Sequence, residues 1–509
     1  MPKSLFRTKS VEKILKDSEE TKHSLKKALG SFDVTMIGVG AIIGAGIFAM
    51  IGEAALGAGR GYPAGPALII SFLLTAIACG FTALCYAEFA AMVPISGSAY
   101  TYAYATMGEI VAWIIGWDLI IEYAIGNVAV AISWAGYFNN LIGNMFGFEI
   151  PLWLRMDYRT FIQKGYDLAQ VPHLGSLPLV FNLMSVLIVL AITWLLVRGI
   201  KESAKFNGVI VLFKLLVLGV FVAVGFYYLD PKNWTPFAPG GLKGIQIGAA
   251  TVFFAYIGFD AVSTVAEETK DPKRDMPIGI IGSLVICTIV YMLVTAALTG
   301  MMPVMELQNH VAEPLVAGLE YNHASKWLIV LVAFGAVVAN TAVLLVFQLG
   351  QPRILYAMSR DGLLPKSFSK VHDKHRTPYV TTILTGVVVA VLSAFCNIDE
   401  MANLCNIGTL FAFILVCAGI IILRIKEPNR HRPFRAPGGY FTPVMGIVFC
   451  IYLMLGLDIM TWGRFIVWLI LGFAVYFLYG RYHSKLKAYH RSLSQPDAQV
   501  KIVADETVM

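Results

Sequence analysis

The chain has 509 residues, of which 57% are apolar and only 14% charged, with a mean hydropathy of +0.70. Those values exclude an ordinary soluble domain and indicate a polytopic membrane protein. The net charge of +7 is spread over many short segments, so membrane topology explains it more simply than a nucleic-acid partner would.

Residues 4–29 read as a short amphipathic helix on the cytoplasmic face, too polar for the apolar core of a cleavable signal. Apolar runs then predict twelve spans, near 34–56, 66–92, 109–140, 180–200, 206–229, 244–267, 277–302, 326–356, 379–396, 401–423, 443–460 and 464–483. The third and eighth exceed the roughly 20 residues that cross a bilayer, so they tilt or extend beyond it. The outer insertion 146–179, with Pro151, Trp153, Tyr158 and Tyr166, reads as an interfacial loop with aromatic anchors; an extracellular cap is the alternative. Segments on the amino-terminal side of the bilayer carry thirty Lys and Arg against eight on the other, which puts both termini in the cytoplasm of a plasma (inner) membrane. The seven cysteines fall in or beside apolar spans without metal-ligand spacing and read as free thiols.

Two spans are interrupted. The first holds four glycines within nine residues, 38–46 (GVGAIIGAG), each lowering helix stability by about 0.5–1 kcal/mol relative to Ala. Gly40 and Gly44 also form a small-xxx-small pair, whose plain meaning is close helix packing. The sixth span is interrupted in 253–260 (FFAYIGFD). Lipid cannot satisfy backbone groups released at bilayer depth, so they must face protein or a polar cavity. Breaks at corresponding positions of two halves point to an inverted-repeat secondary transporter that binds substrate between its half-helices. The half-helix N-terminus after the first break suits a carboxylate, and carbonyls freed near Phe253 to Tyr256 suit an ammonium. One zwitterion would bridge them. Phe254 is then a candidate aromatic gate and Ile257 a candidate limit on the side-chain pocket, with plain packing the alternative for each.

Four ordered motifs resemble the amino acid–polyamine–organocation superfamily, and within it bacterial relatives of the cationic amino acid transporters: 38–48, 94–104 (PISGSAYTYAY), 253–268 (FFAYIGFDAVSTVAEE) and 353–365 (RILYAMSRDGLLP). The resemblance extends from about residue 24 to 483. It implies an all-α, leucine-transporter-like fold with broken first and sixth helices. Spans 1–5 (32–230) and 6–10 (231–423) would be inverted repeats, followed by two peripheral helices (424–483), with cytoplasmic segments 1–31 and 484–509. It also implies that the backbone N–H groups of Ala45, Gly46 and Ile47 take the substrate carboxylate. Ile42, Phe253, Phe254 and Ile257 would surround the amine and side chain. Relatives often carry Ser or Thr at position 45; Ala45 lacks that hydroxyl and leaves backbone contacts only.

Ionisable groups at a helix centre cost at least ~2.5–3.5 kcal/mol on insertion scales, which makes them functional candidates. Lys214 lies within 207–218 (NGVIVLFKLLVL); snorkelling to the cytoplasmic interface is the structural alternative. The resemblance implies that its ammonium replaces the sodium of other branches, so the coupling ion is a proton and no cofactor is needed. Glu122, four residues after Asp118 and on the same helix face, is the second candidate, as proton relay or partner of a substrate amine; a structural hydrogen-bonding acid is its alternative. Asp118, Asp260 and Glu88 are weaker candidates. Glu267 and Glu268 with Lys270, Lys273 and Arg274 read as a cytoplasmic ion-pair cluster.

Together these readings describe a secondary active amino-acid permease, a proton-coupled symporter importing free L-amino acids by alternating access. The alternative is an exchanger, or a potential-driven uniporter of cationic amino acids. Ile257 and Ala45 point to neutral substrates including alanine, and Glu122 to cationic ones. An enzyme is not expected: the nine histidines lie mainly in loops or tails, and no His-x-x-x-His or Glu-x-x-His pair sits on a span. A channel or nutrient receptor on the same scaffold is a further alternative. Oligomeric state is not legible.

Overall fold

A computed structural model describes residues 7–8, 28–92, 98–199, 204–309, 311–372, 375 and 377–487. The expected amphipathic helix over 4–29 and the tail after 487 therefore lie almost wholly outside the described residues. The glycine-rich first apolar run forms α1 (Ser31–Ile42), loses helical geometry, and resumes through a π-helical turn (Gly46–Met50) into α2 (Ile51–Leu56). The two halves are bent by 43°. There follow α3 (Leu68–Met92), the short α4 (Ser98–Thr106), and α5 (Glu109–Ile120), which continues through a π-helical turn (Ile121–Ile125) into α6 (Gly126–Phe146). After the insertion 146–179, with α7 (Tyr158–Gln163), come α8 (Leu183–Val197) and α9 (Ala204–Tyr227).

The second interrupted run begins as α10 (Gly241–Val252), tightens into a 3₁₀ turn (Phe253–Tyr256), and resumes as a second 3₁₀ stretch (Asp260–Glu268). The remaining helices are α11 (Pro272–Met301), α12 (Pro314–Tyr321), α13 (Lys326–Arg360), α14 (Tyr379–Phe395), α15 (Ile398–Lys426), α16 (Phe441–Met454), α17 (Ile459–Val475) and α18 (Arg481–His483). Among the described residues, seven helical stretches are long and apolar enough to cross a membrane, eight with the bent pair, and α8, α14 and α16 are shorter apolar helices.

The two breaks touch. A Cβ on Gly46 would lie 2.1 Å from the Cα of Ala255, and one on Gly258, at φ +117°, would lie 2.8 Å from the Ala41 carbonyl oxygen. Only glycine permits both approaches, because the obstacle in each case is backbone. Around this contact α11 packs on α1, α3 and α9, and α13 packs on α6 and α9. Outward rows such as Ile383, Val387 and Val391 on α14 and Val467, Ile470 and Leu471 on α17 stay exposed, as lipid-facing surfaces require.

Glu88, near the C-terminal end of α3, is fully buried and turns out to be structural. Its carboxylate pairs with Arg424 of α15 and lies 3.3 Å from Arg432, and it accepts from the Ala436 N–H at 2.8 Å. This ties the loop after α15 to α3. The expected ion-pair cluster at 267–274 differs from what is observed: among the described residues no ion pair joins Glu268 to Lys270, Lys273 or Arg274, and the Glu267 side chain is outside them. The Glu268 carbonyl instead accepts from the N–H groups of Ala28 and Leu29, and the Lys270 N–H donates to Leu29. Backbone pairing satisfies this strip without its charges. The seven cysteines are free thiols, six buried and Cys396 half-buried.

The insertion 146–179 is folded. Phe161, Val171 and Val180 form a small core with Trp153, Met156 and Leu168, beside a two-residue hairpin, His173–Leu174 with Leu177–Pro178. Asp157 caps α7 by accepting from the N–H groups of Arg159 and Thr160 at 3.0 Å each.

Two predictions follow from this packing. Gly46→Ala drives a methyl group into the Ala255 backbone, and overpacking of this kind costs typically ~1–3 kcal/mol or more; thermal unfolding in detergent should show a clear drop in midpoint, whereas Gly143→Ala, at an open site, should leave it unchanged. Arg424→Met leaves the buried Glu88 carboxylate with Arg432 and the Ala436 N–H as its remaining partners and should cost up to about 3–5 kcal/mol, the range for breaking a buried pair, with partial recovery in the Glu88→Gln/Arg424→Met double variant when the same unfolding is measured.

Candidate functional site

The first break releases carbonyls that α1 can no longer use, and two side chains collect them. The Lys214 Nζ on α9 donates to the carbonyl oxygens of Gly40 at 2.9 Å and Ile43 at 3.1 Å. Lys214 has no exposed surface, so it does not snorkel; its four-carbon stem turns inward to the break. The close approach of α9 is permitted by Gly40, where a Cβ would lie 2.8 Å from Val211. The Tyr291 hydroxyl on α11 sits 2.9 Å from the Ile42 carbonyl and 2.9 Å from the Ala255 carbonyl. One residue thereby joins the loose ends of both breaks.

The residues expected to hold a substrate surround this junction and are all buried: Ile42, Ala45, Gly46, Ile47, Phe253, Phe254 and Ile257. Their polar groups are partly engaged with the protein itself. The Ile47 N–H donates to the Gly44 carbonyl at 3.2 Å, and the Phe48 N–H shares that oxygen at 3.3 Å. Phe253 meets Phe413 of α15 edge to face at 5.7 Å. Ile257 takes an extended ψ of 135° where the second helix comes apart, and Asn406 Nδ2 holds the carbonyl of Ala250 at 2.9 Å in the helix before it.

Glu122 lies elsewhere in the core. It occupies the π-helical turn between α5 and α6, is buried, and its carboxyl faces Asp260 and Thr409. The principal acidic neighbour of Glu122 is therefore Asp260, at the start of the resumed sixth-span helix, and not Asp118. The electrostatic neighbour of Lys214 is Cys287, so the structure does not bring Lys214 and Glu122 together. They mark two separate polar positions beside the first and second breaks.

Reading the sequence alone passed over Tyr291 and Asn406. Both carried a signal: a hydroxyl or carboxamide in the middle of an apolar run must find a partner inside the protein, and released backbone is a ready partner. Among the described residues no group of three or more His, Cys, Asp and Glu is arranged to hold a metal.

A family model described as amino acid permease matches residues 29–476. The chain is 46% identical over 486 residues to the branched-chain amino acid permease BcaP of Bacillus subtilis (strain 168), covering 96% of this chain and 100% of that protein. It is 44% identical over 485 residues to the methylthioribose transporter of the same organism, covering 95% and 99%. Against the cationic amino acid transporter 2, vacuolar, of Arabidopsis thaliana it is 38% identical over 437 residues, covering 84% and 64%. A match across nearly the whole membrane region, with relatives that are transporters, fixes the class: the chain belongs to the amino acid permease family, within the amino acid–polyamine–organocation superfamily.

Proposed function

We propose that this permease is a proton-coupled symporter that imports neutral L-amino acids by alternating access. In this reading it crosses a plasma (inner) membrane twelve times with both termini cytoplasmic, and spans 1–5 and 6–10 are inverted repeats. The observation that carries the proposal is the buried Lys214 ammonium on the Gly40 and Ile43 carbonyls. Hydrogen bonds from an ionised donor are roughly twice as strong as neutral ones. Loss of the proton therefore loosens the first break from α9, and regaining it tightens the break again. Two arrangements that differ in proton occupancy are what coupling requires.

Substrate binding follows from the same backbone. The N–H groups of Ala45, Gly46 and Ile47 take the carboxylate, Ile47 exchanging its contact with Gly44 for one with the ligand. Carbonyls near Ile42 and Phe253 take the ammonium, while Phe254 and Ile257 enclose the side chain. The lining is apolar, with no hydroxyl at Ala45, and favours small or branched neutral side chains; the branched-chain substrate named for BcaP supports the same choice. One proton moving inward through 100 mV supplies ~2.3 kcal/mol, enough for roughly 50-fold accumulation of a neutral solute.

The test is uptake into proteoliposomes holding the purified full chain, with an inward proton gradient and no sodium. Radiolabelled L-isoleucine, L-alanine, L-lysine and methylthioribose form the panel. Gradient-driven accumulation of isoleucine or alanine should reach tens of fold, and Lys214→Ala should reduce it at least ten-fold while substrate binding persists. Equal uptake with and without the gradient, or an unaffected variant, would contradict proton coupling and favour exchange or potential-driven uniport.

A further inference from the structure

Two hollows share the seam between α3 and α11. One is a cavity of about 1150 Å³ at the C-terminal end of α3 and the N-terminal end of α11, with the loop after α15 as its third wall. The other is a groove of about 410 Å³ further along the same two helices, between 76–84 of α3 and 281–289 of α11. Gly80, Leu84 and Ala91 follow one another at spacings of four and seven residues and so share one face of α3. On α11, Lys273 precedes Ile281 by eight residues, just over two turns. At an α-helical rise the groove begins roughly 10 Å from the cavity and ends roughly 22 Å from it.

The two hollows differ in chemistry. The cavity carries Lys270, Lys273, Lys426, Arg430 and His431 against Asp271 and Glu427. Glu427 is already paired with Arg430, and the Lys426 Nζ donates to the Thr106 carbonyl at 3.3 Å. Lys270 and Lys273 are exposed and, among the described residues, have no acidic partner. The groove, by contrast, offers nothing to a polar occupant: the Thr288 hydroxyl in its wall already donates to the Leu284 carbonyl at 2.7 Å. Gly80 opens its floor, since a Cβ there would meet nothing nearer than Leu284 at 4.0 Å. Ile77, Val285 and Ile289 along its edges are exposed, as residues that face lipid are.

We propose that this seam binds one anionic glycerophospholipid, its phosphate in the basic cavity and one acyl chain along the apolar groove. Charge and length both select that occupant. Basic pockets between helices at the membrane surface take anionic head groups, and the hydrocarbon of one leaflet is ~15 Å deep, which matches a groove starting roughly 10 Å below the head. A free phosphate fills the cavity but has nothing to place in the groove. A zwitterionic lipid brings a cation that the two unpaired lysines repel. Neither the transported solute nor the coupling ion takes part in this site.

Native mass spectrometry of the full chain tests it, after exchange in detergent into an equimolar mixture of dioleoyl phosphatidylglycerol and dioleoyl phosphatidylcholine. Wild type should retain one phosphatidylglycerol per chain, with at least ten-fold preference over phosphatidylcholine. Lys270→Gln/Lys273→Gln should bring that preference within two-fold, since each basic side chain near an anionic lipid is worth about five-fold in affinity. Gly80→Leu fills the groove with a better helix former and should lower phosphatidylglycerol retention about ten-fold with both lysines in place. Equal retention of the two lipids by wild type, a wild-type preference in the lysine variant, or wild-type retention in Gly80→Leu would each overturn the site. Displacement of the retained lipid by millimolar glycerol 3-phosphate would also overturn it, in favour of a free-anion site in the cavity alone. Should one variant not fold, the other and the wild-type preference decide.

Discussion

Everything distinctive about this protein depends on what is done with a few backbone carbonyls at the first break. In water such groups would simply be hydrated. At bilayer depth they need partners from the protein, and an unsatisfied one costs several kcal/mol. Here Gly40 and Ile43 are held by the Lys214 Nζ and Ile42 by the Tyr291 hydroxyl. The break in α1 is thus not a weak point but a place where side chains have replaced the helical hydrogen bonds.

That replacement constrains the packing around it. Lys214 reaches Gly40 only because α9 lies close against α1, and Tyr291 reaches both Ile42 and Ala255 only because the breaks abut. The closeness is set at Gly46 and Gly258, where any side chain would enter the opposing backbone. The same glycines that destabilise a continuous helix therefore build the contact that makes its interruption tolerable. Distant parts answer a different need: Glu88 with Arg424 and Arg432 fastens the loop after α15 to α3, and the folded insertion lines a cavity beside α2 and the starts of α15 and α17.

Much of this was legible in the sequence, and the reasons it was are local. Four glycines in nine residues cannot sustain a helix, a lysine amid apolar residues must find acceptors, and apolar runs of bilayer length announce themselves by composition alone. What was not legible is mostly long-range. Glu88 and Arg424 are 336 residues apart, so no spacing rule could pair them. The i,i+4 rule set Glu122 beside Asp118, which does act on it, but could not show that tertiary packing also puts Asp260 against Glu122. The charges at 267–274 suggested ion pairing because neighbours in sequence were weighed without the backbone of Leu29, which packs on that strip. Tyr291 and Asn406 did carry a readable signal, since each is a polar group in an apolar run, yet only the fold reveals that their partners are released carbonyls.

The central claim is that Lys214 holds the first break in shape. Hydrogen–deuterium exchange measured by mass spectrometry on detergent-solubilised wild type and Lys214→Met tests it most directly. The account predicts faster exchange of peptides spanning 38–50 in the variant, with peptides from α3 and α15 unchanged. Equal protection across 38–50 in the two proteins would contradict it and leave Lys214 without a part in the break.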